Sequence, residues 1–338
     1  MGLTNNKIRW DHVDKLLKRD SMKTHWRAWG LPEIVDPYTS AFADIDPMPR
    51  WNLPEKILIS TTMNGAFFSK RANPNIPVET REIIASAEEA IEAGAQLIHV
   101  HVRDESSGLN VLDVDRFRRV IEPLRERYPQ IAIDACLVAV DEAESEAMER
   151  MIESRLLDAV PVNTTAILVA DNMFFKSPQA ILAKTRKILQ AGLTPQIAVY
   201  TDADVDNARR FLIDSGLVDP PYYWLILPAL PGCSPMYSPE SMIDGLLRQV
   251  RLIREVSRDS IICVCAAGRP STYLATLAVT LGLHVRVGME DTIYKWPHRD
   301  DLISSNVEHF KMVRDIAGLL GRELMSAAEY LAMIGGSR

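Results

Sequence analysis

The most constraining feature of this sequence is a hydrophobic period that changes repeatedly from Ile57 onward. Short β-branched or apolar runs alternate there with longer amphipathic helical patterns. The runs are ILISTT (57–62), LIHVHV (97–102), IAIDACLV (131–138), LDAVPV (157–162), PQIAVY (195–200), YYWLIL (222–227), IICVC (261–265) and HVRVG (284–288). Such alternation predicts parallel strands that are joined by crossover helices.

A helical pattern follows each of these runs, and several begin with Ser or Asp, as N-caps do. The predicted helices are 78–95, 113–128, 142–154, 177–192, 202–216, 238–256, 270–282 and 304–321. These strand–helix units span about 260 residues, close to the ~250 typical of a barrel. We therefore predict an α/β fold, a (β/α)8 TIM barrel with an N-terminal extension. An open doubly wound sheet ranks second, because no strand–GxGxxG–helix or Walker A sequence is present.

The first 54 residues differ from the rest of the chain. A helix is predicted over WDHVDKLLKRDSM (10–22), but the segment is too short and loop-like to hold a core alone. It carries four of the six tryptophans, Trp10, Trp26, Trp29 and Trp51. We predict that residues 1–54 form an extension that packs on the barrel or on a neighbouring subunit, and that residues 55–338 form the catalytic barrel.

Composition narrows the possible partners and location. The net charge is −7 and no Lys/Arg-rich run occurs, so a nucleic-acid surface is not predicted. No apolar run approaches the ~20 residues of a membrane span. The N-terminal residues lack the apolar segment of a secretory signal, and the four cysteines show no disulfide framework. We therefore expect a cytoplasmic protein that acts on small molecules.

The second run carries polar side chains where a barrel strand would end. His99, His101 and Arg103 alternate and so share one face of the strand. In a parallel barrel, the chemistry sits at the C-terminal ends of the strands. Buried imidazoles without partners are costly, and a metal ion satisfies two of them at once. A pair of hydrogen-bonded histidines in the lumen is the alternative.

The last run supplies a candidate third ligand. Glu290 and Asp291 follow the strand that carries Arg286. Strands eight and two both flank strand one, so their ends lie roughly 10 Å apart, twice the ~4.8 Å strand spacing. Two histidines and one carboxylate form a zinc set with an open position, although other divalent metals also fit such ligands. In the alternative interpretation, Glu290 only caps or pairs with Arg286 at the rim.

Strand one ends in a segment that lies between these two groups of residues. Gly65 in this segment would let the backbone approach a ligand closely. Phe67 and Phe68 are either hydrophobic plugs or walls of a substrate pocket.

Two segments resemble the signatures of the beta-keto acid cleavage enzymes, a family typified by 3-keto-5-aminohexanoate cleavage enzyme. They are IPVETREIIASAEEAIEAGAQLIHVHVRDESSG (76–108) and HVRVGMEDTIY (284–294), and the similarity runs from about Ile57 to Leu331. The resemblance implies a (β/α)8 barrel, a homotetramer and an acyltransferase. Such an enzyme converts a beta-keto acid and acetyl-CoA into acetoacetate and a new acyl-CoA, through Claisen and retro-Claisen steps.

The resemblance also implies roles for individual residues. Zinc would be held by His99, His101 and Glu290, and Arg286 with Asp291 would act as a dyad in deprotonating the substrate. We assign to the substrate pocket Asn64, Gly65, Phe67, Arg103, Cys136 and Asn163. Gly268 and Arg269 are assigned to the CoA side as a phosphate or carboxylate contact, with a plain turn and a surface arginine as the alternative.

The chain departs from the family on the substrate side. Phe67 stands where members that use an amino-bearing substrate have glutamate, Cys136 replaces a serine, and Pro161 replaces a threonine. Because phenylalanine does not pair with a protonated primary amine, we predict an apolar or aromatic substrate tail. A quaternary ammonium held by a cation–π contact is the weaker alternative.

Two other functions remain open at the level of sequence. One is a metal-dependent aldolase or lyase on the same barrel that acts without acetyl-CoA, since barrels host many chemistries. The other is a non-catalytic paralogue, against which the retention of the three ligands and of Arg286 and Asp291 argues. The sequence leaves the keto acid side chain undetermined.

Overall fold

The computed structural model describes residues 7–19, 38, 43–139 and 142–336. The chain divides into two compact units with the boundary between Leu53 and Pro54. In the first unit, helix α1 (Trp10–Arg19) confirms most of the predicted helix, whose last three residues lie outside the described ranges. Trp26 and Trp29 also lie outside them.

The strands described in the second unit are β1 (Lys56–Ile57), β2 (Ile59–Thr62), β3 (Leu97–Val100), β4 (Val102–Arg103), β5 (Asn110–Val111), β6 (Ala132–Ala135), β7 (Ala159–Asn163), β8 (Ala166–Val169), β9 (Asn172–Phe175), β10 (Thr194–Val199), β11 (Tyr223–Ile226), β12 (Ile261–Cys265), β13 (His284–Gly288) and β14 (Glu323–Leu324). The helices are α2 (Thr80–Glu92), α3 (Val114–Arg127), α4 (Glu142–Glu153), α5 (Pro178–Gln190), α6 (Asp202–Ala208), α7 (Pro239–Val256), α8 (Ser271–Thr280), α9 (Asn306–Leu319) and α10 (Ala327–Met333). Helix α6 continues as a π-helical turn, Arg209–Ile213.

Eight of these strands form a closed parallel barrel, in the order β2-β3-β6-β7-β10-β11-β12-β13. The ring closes where β13 pairs with β2, with Val287 beside Thr61. Each predicted strand run contains one barrel strand, and each predicted helix forms between or after them. The predicted (β/α)8 TIM barrel is therefore confirmed, and the open sheet is excluded.

The barrel strands bury both faces, which explains their nearly continuous apolar sequences. On β13, Val285 and Val287 join the layer between the barrel and its helices. His284 and Arg286 point the other way and are also buried. Helix α2 buries one stripe, Ile83, Ala87 and Ala90, against the same layer. Polar residues on lumen positions therefore need partners inside the barrel.

The structure adds elements that the sequence pattern did not predict. The second run was predicted as one strand to Val102, but β3 ends at Val100, and β4 pairs antiparallel with β5. An antiparallel hairpin, β8–β9, follows β7, and Ala170 in its turn has φ +50°. These short strand pairs lie outside the barrel, where the hydrophobic period of the sequence gives little indication of secondary structure. No helix among the described residues has the length and apolar character to cross a membrane.

Candidate metal centre and active site

Two histidines and a glutamate meet at the C-terminal ends of the barrel strands. Nε2 of His99 lies 3.3 Å from Oε2 of Glu290, and Nε2 of His101 lies 3.3 Å from Oε1. The candidate ligand atoms all lie within 4.8 Å of one another, and all three residues are buried. The structure therefore brings together the three residues that the sequence predicted as ligands.

Two glycines allow the loops that flank this cluster to approach each other. Gly65 follows β2 with φ +56°, and a Cβ there would lie 2.3 Å from Cγ of Glu290. Gly288 ends β13 with φ +143°, and a Cβ there would lie 2.0 Å from the Thr62 carbonyl oxygen. Both positions need a residue without a side chain, because the conformation and the space exclude Cβ. The backbone thus places Glu290 directly against the histidines.

Asp134 and Asn110 orient the imidazoles from behind. Oδ1 of Asp134 accepts from Nδ1 of His99 at 2.8 Å, and Oδ1 of Asn110 accepts from Nδ1 of His101 at 2.7 Å. When the rings are neutral, the protonated Nδ1 atoms leave both Nε2 lone pairs directed towards Glu290, as in metal sites whose histidines have carboxylate or carbonyl partners.

The buried atoms at the centre of the cluster lie close together but lack well-formed hydrogen bonds. Nε2 of His99, Nε2 of His101 and Oε2 of Glu290 make no hydrogen bond of normal geometry in the described structure. Buried polar atoms are usually satisfied. A His, His, carboxylate donor set is typical of catalytic zinc sites, so these residues fit a divalent cation.

The electrostatics of the cluster favour positive charge between the three side chains. Burial lowers the pKa of His99, but the carboxylates of Glu290 and Asp134 outweigh burial and raise it to about 9. Burial also lowers the pKa of His101, but interactions that include the Glu290 carboxylate outweigh burial and raise this pKa to about 10. Burial raises the pKa of Glu290, yet His99, Arg286 and His101 hold it well below its ordinary value. Protons and a metal ion would compete for these same atoms.

Arg286 and Asp291 form a buried pair next to Glu290. Nε of Arg286 donates to Oδ2 of Asp291 at 3.0 Å, and Nη2 makes a second contact with Oδ1 of Asp291. Nη2 also donates to Oε1 of Glu290 at 3.2 Å. Burial raises the pKa of Asp291 above its ordinary value, although Arg286 opposes this change. The predicted dyad is thus in place beside the candidate ligands.

A cavity of about 550 Å³ opens over this cluster. His101, Arg286, Glu290 and Asp291 line one part of it. Three residues that we assigned to the substrate pocket, Phe67, Cys136 and Asn163, also line it. The volume is within the range of ligand sites, ≈ 300–1,000 Å³.

The other assigned pocket residues support the loop after β2 instead of lining the cavity. Nη2 of Arg103 donates to the carbonyl oxygens of Asn64 and Phe68, at 2.8 and 2.9 Å. Oδ1 of Asn64 accepts from the His101 backbone N–H at 3.3 Å. Gly65 provides the close approach to Glu290 described above. A direct substrate contact by these three residues stays a prediction.

The residues assigned to the CoA side also have structural partners. The Gly268 N–H donates to the Asp291 carbonyl oxygen at 2.9 Å, which fixes the loop after β13. Arg269 stacks its guanidinium 3.6 Å from the Tyr294 ring centroid and pairs with Asp300 at 2.6 Å. Neither residue lines the cavity, so a CoA contact stays a prediction.

Sequence reasoning missed Asp134 and Asn110. Asp134 did carry a signal, because it is a carboxylate inside the apolar run IAIDACLV, where ionisable residues are rare. Asn110 carried none, because its approach to His101 depends on the β4–β5 pair. The hairpin β8–β9, which supplies part of the cavity wall, was also missed.

A closed parallel barrel with a His, His, Glu cluster and a cavity at its C-terminal end defines a (β/α)8-barrel enzyme with a candidate metal centre. Residues 56–335 match the family model described as beta-keto acid cleavage enzyme. The chain belongs to the beta-keto acid cleavage enzyme family. The resemblance seen in the sequence is thereby confirmed, as is the prediction of an enzyme.

Curated relatives agree with this assignment. The chain is 29% identical over 282 residues to 3-keto-5-aminohexanoate cleavage enzyme of Fusobacterium nucleatum subsp. nucleatum, covering 81% of this chain and 96% of the relative. It is 27% identical to the protein of the same name from Acetoanaerobium sticklandii, covering 84% and 100%. It is 24% identical to 3-oxoadipate:acetyl-CoA acetyltransferase of Cupriavidus necator, covering 82% and 94%.

Solved structures support the fold. The binary complex of ObcA with oxaloacetate aligns with a TM-score of 0.65 at 17% identity, covering 78% of this chain and 68% of that one. The apo structure of ObcA aligns with the same TM-score at 18% identity, covering 78% and 66%. At this identity, the likeness extends to the barrel architecture only.

Proposed function

We propose that this chain is a zinc-dependent enzyme that condenses a beta-keto acid with acetyl-CoA to give acetoacetate and a new acyl-CoA. The observation that carries the proposal is the His99, His101, Glu290 cluster beside the Arg286–Asp291 pair at one end of a cavity. The names of two relatives support the co-substrate, since they are 3-oxoadipate:acetyl-CoA acetyltransferase and 3-dehydrocarnitine:acetyl-CoA trimethylamine transferase.

His99, His101 and Glu290 would hold the metal ion. When bound, zinc supplies a Lewis acid that polarises a carbonyl oxygen and stabilises developing negative charge. Zinc is favoured over other divalent ions by two imidazoles and one carboxylate, although the same ligands also accept those ions.

Asp291 is the group in the cavity wall that is suited to accept the α-proton of the keto acid. Its carboxylate lines the cavity, and burial raises its pKa, which makes it a stronger base than an exposed aspartate. Two contacts from Arg286 fix the orientation of the Asp291 carboxylate, and Oγ1 of Thr62 lies 3.5 Å from Oδ2 of Asp291. Arg286 also presents positive charge to the cavity, where the substrate carboxylate must be held.

The overall exchange balances without a further reactant. The α-carbanion of R–CO–CH2–COO⁻ attacks the acetyl thioester carbonyl, and CoA is displaced as a thiolate. The thiolate then adds to the carbonyl that bears R, and the bond from this carbonyl to the α-carbon breaks. The products are R–CO–S–CoA and acetoacetate, and the α-carbon recovers the proton that was lost at the start.

The decisive experiment combines metal analysis of the purified protein with a keto-acid screen. We expect zinc at about one ion per chain and acetoacetate formation that requires acetyl-CoA. The variants His99→Ala and Glu290→Gln should lose both the metal and the activity, whereas His298→Ala removes an exposed histidine and should retain both. Turnover of a keto acid that is unchanged without acetyl-CoA would indicate the metal-dependent aldolase or lyase instead. A metal-loaded protein without turnover of any keto acid would indicate a non-catalytic paralogue.

A further inference from the structure

We propose that this enzyme selects beta-keto acids whose tail beyond the ketone is apolar and uncharged, and that the inner face of the β8–β9 hairpin and the loop after β2 bind this tail. The inference rests on the proposed function and specifies the substrate class of the same site. It follows from which side chains line the cavity and from where its charged groups lie.

The ionic groups of the cavity are concentrated at one end. His101, Glu290, Arg286 and Asp291 form the cluster described above and would be engaged with the metal ion and the reacting carbons. Among the described lining residues outside this cluster, Glu144 is the one carboxylate, and lysine and arginine do not occur.

Glu144 is a poor candidate for binding a charged tail. It already has an interaction partner of its own. It also lies close enough to Lys176 to raise the pKa of that ammonium, against the larger effect of burial, which lowers it. A cationic tail would therefore compete with existing partners of Glu144. The Lys176 ammonium does not line the cavity: it lies 5.6 Å from the Phe174 ring centroid and donates to the Ala139 carbonyl oxygen, so an anionic tail would have to displace these contacts to reach it.

The remaining wall is largely apolar, and two of the elements that supply it lie outside the barrel strands. The loop after β2 contributes Phe67 and Phe68, and the hairpin contributes Val169 and Phe174. Phe174 is held in place by an edge-on contact with Tyr200, with ring centroids 5.7 Å apart. A charged tail in this space would lose hydration without a partner, whereas an apolar tail gains by burial.

The hairpin has two faces, which makes the inference testable. Val169 and its cross-strand partner Asn172 line the cavity. The neighbouring Leu168 points to the other face, is 54% exposed and does not line the cavity, although its cross-strand partner Met173 reaches the rim of the cavity and is 78% exposed. A charge placed at Val169 would therefore meet the substrate tail, and the same charge at Leu168 would meet solvent.

The first arm of the test compares three six-carbon keto acids with the zinc-loaded, full-length protein. The substrates are 3-oxohexanoate, 5-amino-3-oxohexanoate and 3-oxoadipate. The tail of the first is a neutral alkyl chain, that of the second carries an amine, and that of the third carries a second carboxylate. We expect kcat/KM for 3-oxohexanoate to exceed both others by about tenfold or more, because a charged tail would lose hydration against the apolar wall without an ionic partner among the lining residues outside the cluster.

The second arm changes the hairpin. We expect V169E to lower kcat/KM for 3-oxohexanoate by about tenfold and to shift preference towards the amino-bearing acid, whereas V169Q, which adds no charge, shifts preference less. L168E should behave as the wild type. The KM for acetyl-CoA should stay within about twofold in all three variants, because the change concerns the tail and not the co-substrate.

Two results separate this inference from the proposed function. Equal or higher kcat/KM for either charged acid would overturn the apolar-tail inference, while acetoacetate formation would still support the proposed function. If no keto acid yields acetoacetate, the proposed function fails, and calorimetric titration with each keto acid alone then tests the tail. Binding of a charged acid as tight as that of 3-oxohexanoate would again contradict the inference.

Discussion

At the scale of single residues, the site depends on side chains that never touch a substrate. Asp134 and Asn110 fix the rings of His99 and His101 through their Nδ1 atoms. Gly65 provides the space in which Glu290 reaches those rings. Because these contacts hold the ligand side chains in place before a metal ion binds, less binding free energy is lost in ordering the ligands.

We expect D134N to lower the zinc affinity of the protein by about 10–100-fold, since the amide is a weaker acceptor for the Nδ1 proton of His99. Chelator competition measures the affinity, and circular dichroism checks that the variant is folded. The control is D158N, the same carboxylate-to-amide change at a residue that pairs with Arg125 and accepts from the Ile133 N–H. Unchanged zinc affinity in D134N would show that Asp134 does not position His99.

At the scale of elements, the β8–β9 hairpin supplies part of the cavity wall and sits against the segment around Pro231. The Ala170 N–H donates to the Pro231 carbonyl oxygen at 3.2 Å. Gly232 has φ +92°, and a Cβ there would lie 1.6 Å from the Leu168 carbonyl oxygen. The hairpin therefore packs against the backbone of a glycine, and its position depends on that residue.

Replacing Gly232 by alanine should displace the hairpin and destabilise the protein by about 1–3 kcal/mol, because alanine is strained at this φ and has no space. Turnover of the preferred keto acid should fall together with stability. The matched control is G318A in α9, where a Cβ meets no atom within 4 Å and helix propensity favours alanine. Thermal unfolding and kcat/KM measure both effects, and a G232A protein as stable and active as the wild type would contradict the expectation.

At the scale of the whole molecule, the barrel buries histidines that take no part in the site. Burial lowers the pKa of His284 and of His309 to about 4 each, although Glu308 opposes the change at His309. Nδ1 of His284 accepts from the Leu58 N–H at 3.0 Å, which requires a neutral ring. Both side chains therefore oppose protonation in the folded state.

This burial should make the protein sensitive to mild acid. The ordinary pKa of histidine is 6.5, and the pKa of His284 and of His309 is about 4 each. Between these two pH values, each of these histidines binds a proton in the unfolded chain but not in the folded chain. Each histidine should thus lower the free energy of unfolding by about 1.4 kcal/mol per pH unit as the pH falls. In H309Q, the free energy of unfolding from denaturant titrations should fall less steeply as the pH is lowered than it does in the wild type, by about 1.4 kcal/mol per pH unit. An identical slope in H309Q and the wild type would contradict the assignment.

We also propose that the N-terminal extension covers the barrel or a neighbouring subunit, as its tryptophans suggest. Trp10 and Trp51 are 59% and 80% exposed, a large apolar surface for isolated side chains. Deletion of residues 1–50 should change the oligomeric state or the activity, measured by light scattering and by kcat/KM. The predicted homotetramer is tested in the same experiment, and an unchanged, fully active oligomer would contradict the role of the extension.

The sequence by itself determined the barrel and the identity of the three candidate ligands. Alternating apolar runs and helices predict parallel strands that are buried on both faces, and the number of strand–helix units, together with the absence of a dinucleotide-binding or Walker A sequence, favoured the barrel over an open sheet. The alternation His99, Val100, His101 placed both imidazoles on one side, and chain order placed Glu290 after the strand that closes the ring. These are local patterns, and local patterns are readable from the chain alone.

Only the tertiary structure decided how the site is supported and what its cavity admits. The contact of Asp134 with His99 spans 35 residues of sequence, and the contact of Arg103 with Asn64 spans 39. The alternation in the sequence placed Arg103 on the same strand face as the histidines. In the structure it donates to backbone carbonyl oxygens instead, because the strand ends at Val100 and the chain continues into the β4–β5 pair. Partners distant in sequence meet only when the barrel closes, so no period or motif in the chain records them.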